Sequence, residues 1–208
     1  MILYVGTRRS SSWSLRAYLA LAHSGAAFET RTVWLDHADS GEKLRAIGPT
    51  SRVPVLHDGA LVIPDSLAIC EYVAEQHPKM WPADRAQRAR ARGIACEMHS
   101  GFAALRTNMP MALLDDRAGV GHTPEALADA ARVMEIWREA LAASGGPFLF
   151  GAYTIADAMF APVTTRFTTY GVAMDAVARG YTDAIQRDPA FVQWRADAIA
   201  ERAIEPAQ

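Results

Sequence analysis

Apolar residues recur with two different spacings along this chain, and the change of spacing divides it into two parts. Over residues 1–80, short runs rich in β-branched and aromatic residues alternate with stretches of helical period. After that point only helical periods occur. We therefore predict an N-terminal α/β domain at residues 1–80 and an all-α C-terminal domain at residues 85–208.

The N-terminal pattern predicts a small sheet with a helical crossover. The order is a strand, a helix, a second strand and a short helix, followed by a hairpin and a third helix. The expected bounds are strands at 2–5 and 28–35 and helices at 13–23, 41–47 and 66–76.

The hairpin is expected where Asp58-Gly59 separates apolar runs at 55–56 and 61–63, because this dipeptide is typical of a type I′ turn. Such a turn pairs residue 57 with residue 60 and residue 54 with residue 63. It brings the start of the third helix beside the residues that precede the hairpin.

Four residues at this junction predict a compact binding site. Pro54 cannot donate to a sheet ladder, so a cis bond before it would leave the backbone of Val53 free to pair with an extended peptide. Asp65 and Ser66 open the third helix, whose first unpaired N–H groups favour a carboxylate. Ordinary strand and helix starts remain the alternative interpretation.

The C-terminal part predicts five helices that form a bundle, with expected bounds of 85–117, 124–143, 154–168, 174–186 and 189–203. Thr154 and Asp157 match a capping box, and we assign them to folding. A lone histidine, His99, has no evident partner and is excluded from the site. Arg16, in the first helix, is expected to pair with an acid of its own domain.

Charge and composition narrow the class of function. A net charge of -2 and a pI of about 6.3 provide no general attraction to nucleic acid. Cys70 and Cys96 show neither a disulfide framework nor metal-ligand spacing. No apolar run approaches the length of a membrane span, and the N-terminal residues lack a secretory pattern, so we expect a soluble cytoplasmic protein.

Three serines follow the first strand and suggest chemistry on a thiol. Ser10, Ser11 and Ser12 lie where α/β sheets place ligands, at the start of the first helix. Most serines at a helix start are caps. One hydroxyl there can also donate to a ligand sulfur and favour its thiolate, assisted by the helix dipole.

The chain resembles the cytosolic glutathione transferases, in particular their bacterial, serine-type, zeta-like members. The resemblance rests on the segments 11–16, 52–56, 65–69 and 154–157 and covers essentially the whole chain. It implies the glutathione transferase fold, which is a thioredoxin-like α/β N-terminal domain and an all-α C-terminal helical bundle. It also implies glutathione as co-substrate and a homodimer.

By the same resemblance, a serine of the first turn contacts the glutathione sulfur, and we choose Ser11 as the catalytic residue. The implied glutathione-binding residues are Ser10, Ser12, Trp13, Arg52, Val53, Pro54, Asp65 and Ser66. Those implied for the second substrate are Arg106, Asn108 and Met109.

The expected activity is conjugation of the glutathione thiolate to a small hydrophobic electrophile. The alternatives are a glutathione-dependent isomerase or dehalogenase and a non-catalytic interaction protein of the same fold. Serine rather than cysteine in the first turn favours thiolate addition over disulfide exchange. No metal, nucleic acid or membrane is expected as a partner.

Overall fold

The computed structural model describes residues 1–205. The strands are β1 (Ile2–Gly6), β2 (Glu29–Val33), β3 (Val55–Asp58) and β4 (Leu61–Pro64). The helices are α1 (Ser12–Ser24), α2 (Ser40–Ile47), α3 (Ser66–Gln76), α4 (Arg85–Ser100), α5 (Ala103–Asn108), α6 (Pro124–Ser144), α7 (Ile155–Tyr170), α8 (Ala176–Arg187) and α9 (Pro189–Ile204). Within residues 1–205, no helix is both long and apolar enough to cross a membrane.

The predicted small sheet is confirmed, with strands in the order β2-β1-β3-β4. β1 and β2 run parallel through the α1 crossover, while β3 pairs antiparallel with β1 and with β4. Leu3, Leu15 and Ile69 are fully buried between the sheet and helices α1 and α3. The carboxyl end of β1 therefore opens directly onto the start of α1.

The register of the hairpin differs from the prediction. Asp58 pairs with Leu61, and the loop is Gly59-Ala60 rather than Asp58-Gly59. A type I′ turn needs a positive φ at both central residues, but in this loop only Gly59 has one, at 58°. Asp58 stays in β3, where its carboxylate accepts a 2.7 Å hydrogen bond from the hydroxyl of Tyr72 on α3.

The prediction of one long helix at residues 85–117 is wrong. α4 ends at Ser100, and after an extended Gly101 the backbone of Phe102 takes a left-handed conformation with φ of 60°. A short α5 follows, and no helix is present from residue 109 to residue 123. A Cβ at position 101 would lie 2.7 Å from the carbonyl oxygen of Glu97, so a glycine suits this break.

The predicted capping box at the start of α7 is confirmed. Thr154 is the N-cap of the helix. Oδ2 of the fully buried Asp157 accepts hydrogen bonds from the N–H of Thr154 at 2.8 Å and from the hydroxyl of Thr154 at 3.0 Å. α7 is buried along almost all of its length and forms the centre of the bundle.

The division into domains at 1–80 and 85–208 stays a prediction, and its last three residues lie outside the described part of the chain. In the structure, helices α1 and α3 of the first part pack against the sheet. The second part of the described chain contains helices α4 to α9. A short 3-10 turn at Pro78–Met80 lies in the expected linker.

Candidate functional site

A cavity of about 430 Å³ lies where the start of α1, the start of β3 and the start of α3 converge. Its lining consists of Trp13, Thr50, Arg52, Val53, Pro54 and Asp65. Five of these six residues belong to the predicted glutathione-binding set. Three separate segments of the chain therefore contribute to one cavity.

The backbone at Val53 provides an edge for pairing on one side of this cavity. The Val53–Pro54 peptide bond is cis. In the described part of the chain, neither the N–H nor the C=O of Val53 has a hydrogen-bond partner. Backbone N–H and C=O groups in a folded protein normally have hydrogen-bond partners. The free groups of Val53 can therefore pair with the backbone of an extended ligand.

The start of α3 forms another side. Asp65 has a positive φ of 77°, and its Oδ1 accepts a 2.8 Å hydrogen bond from the N–H of Leu67. The other oxygen, Oδ2, lies 3.5 Å from Nε2 of His99. The hydroxyl of Ser66 is buried and has no hydrogen-bond partner among residues 1–205. The carboxylate and the helix start thus leave polar groups for a ligand.

Ser11 lies at the start of α1, outside the lining of the cavity but close to the end of β1. It occupies the N-cap position of α1, and its hydroxyl donates to Oγ of Ser14 at 2.8 Å instead of capping the helix. A Cβ placed on Gly6 would lie 3.0 Å from Oγ of Ser11 and 2.9 Å from Cγ2 of Val53. The hydroxyl of Ser11 and the side chain of Val53 therefore both lie over the end of β1, where Gly6 leaves space for them.

The two neighbouring serines have other surroundings. Oγ of Ser12 accepts a 3.3 Å hydrogen bond from Nη2 of the buried Arg166 on α7. Ser10 is exposed, and its hydroxyl lies 3.4 Å from the carbonyl oxygen of Thr7. Of the three candidates, Ser11 combines a position at the helix start with proximity to Val53.

Arg16 does not pair with an acid, so that expectation is wrong. The side chain is fully buried, and none of its guanidinium nitrogens has a hydrogen-bond partner among residues 1–205. Its guanidinium lies 4.6 Å from the ring of Trp13, and that of Arg106 lies 5.2 Å from the same ring. Burial and the positive charges of Arg106 and Arg166 hold the pKa of Arg16 well below its usual range.

The same cause acts on the other two arginines. Burial lowers the pKa of Arg106, while burial and the charge of Arg106 lower the pKa of Arg166 to about 10. Each also has one buried Nη1 without a hydrogen-bond partner in the described chain. We call Arg16, Arg106 and Arg166 the arginine cluster. It concentrates positive charge beside Trp13 with unused donors.

His99 was excluded from the site by sequence reasoning, but the structure places it beside the cavity. Its ring meets Trp13 edge to face, with ring centroids 5.1 Å apart, and faces Asp65 as described above. Burial lowers the pKa of His99, and the nearby arginines act in the same direction while Asp65 opposes them. No local pattern indicates this contact, because it joins the end of α4 to the starts of α1 and α3.

The residues implied for the second substrate lie outside the lining of the cavity. Nε of Arg106 donates to the carbonyl oxygen of Gly101 at 2.8 Å, and Nδ2 of Asn108 donates to that of Ala104 at 2.9 Å. Met109 is fully buried in the core. Arg106 approaches the cavity only through Trp13, and the assignment of these three residues stays a prediction.

The fold and the cavity define a protein of the glutathione transferase class. The sequence profile of the glutathione S-transferase N-terminal domain matches residues 10–76, and that of the C-terminal domain matches residues 86–197. The chain belongs to the glutathione S-transferase family.

Curated relatives narrow the comparison within this family. A probable maleylacetoacetate isomerase of Caenorhabditis elegans is 37% identical over 123 residues, which are 58% of this chain and 56% of that protein. The maleylacetoacetate isomerase of Mus musculus is 35% identical over 111 residues, half of each chain. The chain spans about half the length of the curated relatives it matches.

Solved structures match along almost the whole chain. A glutathione transferase homologue from Burkholderia with bound glutathione has a TM-score of 0.75 and 25% identity, covering 96% of this chain and 98% of that one. A bacterial maleylpyruvate isomerase of the zeta class also has a TM-score of 0.75, with 24% identity and coverage of 93% and 96%. The latter likeness shows the fold.

Proposed function

We propose that the protein is a glutathione-dependent isomerase that acts on an unsaturated carboxylic acid. The single observation that carries the glutathione part is the free peptide edge of Val53, which faces the same cavity as Asp65 and adjoins Ser11. In the proposed complex, Val53 pairs with the backbone of the tripeptide. Asp65 and Ser66 hold its γ-glutamyl end, and Trp13 and Arg52 complete the wall.

Ser11 stabilises the thiolate in this proposal. Bound glutathione would supply a thiolate that adds to one carbon of the activated double bond, while the π electron pair moves onto the conjugated carbonyl. Rotation about the resulting single bond and loss of the thiolate would re-form the double bond in the other geometry. The hydroxyl of Ser11 turns from Ser14 toward the sulfur, and the positive end of α1 favours the negative charge. Because each unit of thiol pKa corresponds to about 1.4 kcal/mol, a hydroxyl and a helix start suffice for a shift of about one to two units.

The arginine cluster favours an anionic second substrate over the apolar electrophile expected from the sequence. Three guanidinium groups lie close together with unused donors, whereas Met109 is buried in the core. Buried cations of this kind are normally paired, and guanidinium groups match carboxylates well. The named relatives are isomerases of maleyl compounds, which supports the same choice. Conjugation to an apolar electrophile is the activity this proposal replaces.

The test measures binding and turnover separately. The wild type is expected to be retained on immobilised glutathione and to isomerise maleylacetoacetate or maleylpyruvate only when glutathione is present. Ser11→Ala should keep retention but lose most turnover, while Ser10→Ala, at the exposed serine of the same turn, serves as the control. Absence of retention would refute glutathione binding. Retention with conjugation of an aryl halide but no isomerisation would refute the choice of substrate.

Two further expectations belong to this proposal. We infer a homodimer, and exposed apolar side chains on the edge strand β4, Leu61 and Val62, are consistent with a covered edge. A cytoplasmic location also remains a proposal, supported by free cysteines at both positions, 70 and 96.

A further inference from the structure

The last helix reaches back to the turn that carries the serines. Oε2 of Glu201, on α9, accepts a 2.9 Å hydrogen bond from the backbone N–H of Arg8, which is 193 positions away in the sequence. Nε1 of Trp194 donates to the carbonyl oxygen of Arg8 at 3.2 Å. The N–H of Leu113 donates to the carbonyl oxygen of Arg9 at 2.9 Å. Helix α9 and the loop after α5 thus hold the backbone just before Ser10.

The contact between Glu201 and Arg8 also joins two buried charges. Oε1 of Glu201 pairs with Nη1 of Arg8 and accepts a 2.6 Å hydrogen bond from the hydroxyl of Thr32. The guanidinium of Arg8 donates to the hydroxyls of Thr30 and Thr32, both at 2.7 Å. Arg8 is 6% exposed and Glu201 is 7% exposed. Buried pairs hold a defined geometry when neighbouring groups satisfy both oxygens, as they do for Glu201.

The position of Arg8 determines that of Ser11. The carbonyl oxygen of Thr7 accepts hydrogen bonds from the N–H groups of Ser10 at 3.1 Å and Ser11 at 2.9 Å. Arg8 therefore lies inside the tight turn that ends at Ser11, and a shift of its peptide moves the Ser11 hydroxyl. Val53 belongs to a different segment, whose backbone has no hydrogen bond to α9 within residues 1–205.

We infer that Glu201 is a positioning residue that holds the serine turn in the geometry needed to stabilise the glutathione thiolate. This inference rests on the proposed function. Glu201 acts through the backbone of Arg8 and does not touch the ligand. Glutathione binding and thiolate stabilisation then depend on different parts of the chain. The peptide edge at Val53 binds the tripeptide, while α9 sets the alignment of Ser11.

The test compares wild type with Glu201→Gln, which keeps the size of the side chain but removes its charge. We expect the thiol of bound glutathione to titrate about one pH unit higher, as measured by thiolate absorbance, because Ser11 is misaligned. At neutral pH kcat should fall about tenfold, and activity should recover at higher pH, where the thiol ionises without help. KM for glutathione should change less than about threefold, since Val53 is untouched.

A merely structural role would lower the active fraction at every pH without moving the pH profile. Glu205→Gln is the matched control, because Glu205, just after the same helix, pairs with the side chains of Arg9 and His37 and has no hydrogen bond to the backbone of the turn among the described residues. It should leave the titration unchanged. If Glu201→Gln does not fold, Thr32→Val removes one partner of Glu201 and should produce a smaller shift in the same direction.

The outcomes distinguish this inference from the proposed function. If wild type binds glutathione and lowers its thiol pKa but Glu201→Gln, or Thr32→Val in its place, titrates at the same pH, the role of Glu201 is refuted alone. If wild type does not lower the thiol pKa of glutathione, the proposed function fails and the inference fails with it. An equal shift in Glu205→Gln would also overturn the inference.

Discussion

Replacing Asp157 by alanine should destabilise the protein more than a typical core substitution, because this carboxylate holds several elements together. Oδ1 accepts hydrogen bonds from the N–H of Leu149 at 2.9 Å and the hydroxyl of Tyr181 at 3.2 Å. Oδ2 accepts those of the N–H and hydroxyl of Thr154. Asp157 thus joins the start of α7, the preceding loop and α8.

The magnitude follows from what the alanine variant leaves behind. Four buried donors, the N–H of Leu149, the N–H and hydroxyl of Thr154 and the hydroxyl of Tyr181, lose their acceptor, and each loss costs about 1–3 kcal/mol. The buried carboxylate is itself unfavourable, since burial raises the pKa of Asp157 from 3.8 to about 6 despite its hydrogen bonds. Removing that penalty returns about 3 kcal/mol at neutral pH. The net loss is about 5 kcal/mol, equivalent to about 10–20 °C in Tm.

Urea unfolding followed by two spectroscopic probes measures this loss, with Asp157→Asn as the control of matched size. The asparagine oxygen can serve Leu149 and Tyr181, but its amide faces the N–H of Thr154, so we expect a smaller loss of about 1–2 kcal/mol. A loss below about 1 kcal/mol in the alanine variant, or an equal loss in both variants, would refute the reasoning.

The pH dependence of the free energy of unfolding, compared between wild type and Asp157→Asn, provides a second measurement. Because the folded-state pKa of Asp157 is raised, its contribution to stability is fully present below 3.8 and is lost as the pH rises through about 6. The asparagine does not titrate. The free energy of unfolding of wild type relative to Asp157→Asn should therefore fall by about 2 kcal/mol between pH 4 and pH 7. A constant difference would mean that the carboxyl titrates normally.

Three further substitutions test the site. Gly6→Ala should weaken glutathione binding about tenfold by calorimetry, because its Cβ would lie 2.9 Å from Cγ2 of Val53 and displace the peptide edge; unchanged affinity would contradict the role of that edge. Arg16→Met should raise the free energy of unfolding in urea by about 1–3 kcal/mol, since it removes a buried, unpaired guanidinium, and a decrease would contradict this. His99→Asn should reduce the loss of glutathione affinity between about pH 7 and pH 5, because a protonated ring 3.5 Å from Asp65 competes for its carboxylate; an identical pH profile would exclude that competition.

Local signals were sufficient for most of the fold. Periods of two and 3.6 residues placed β1, α1 and α3 within one residue of their observed bounds at every end. The failures occurred where two signals competed. Asp58-Gly59 suggested one turn, but the tertiary hydrogen bond from Tyr72 accompanies another. The helical period continued past Gly101, but the backbone turns at Phe102.

The candidate site divides in the same way. Val53, Pro54 and Asp65 could be found from the sequence because a proline at a strand start and a cap at a helix start have local causes. His99, Arg16 and Arg166 could not, because their surroundings are assembled from α1, α4, α5 and α7. An acid partner was expected for Arg16, and only the packed helices show that it is fully buried without one among residues 1–205.

Residues of different segments control different properties of the candidate site. In the proposed function, the peptide edge at Val53 pairs with the tripeptide and depends on one short segment. The alignment of Ser11 in that function depends on Arg8, whose partners Trp194 and Glu201 lie on α9. The positive charge proposed to receive the second substrate lies partly on helices α5 and α7 of the bundle. Substitutions in the C-terminal helices can therefore alter thiol activation and substrate choice while the tripeptide site is retained, which is the separation that the Glu201 and Ser11 variants measure.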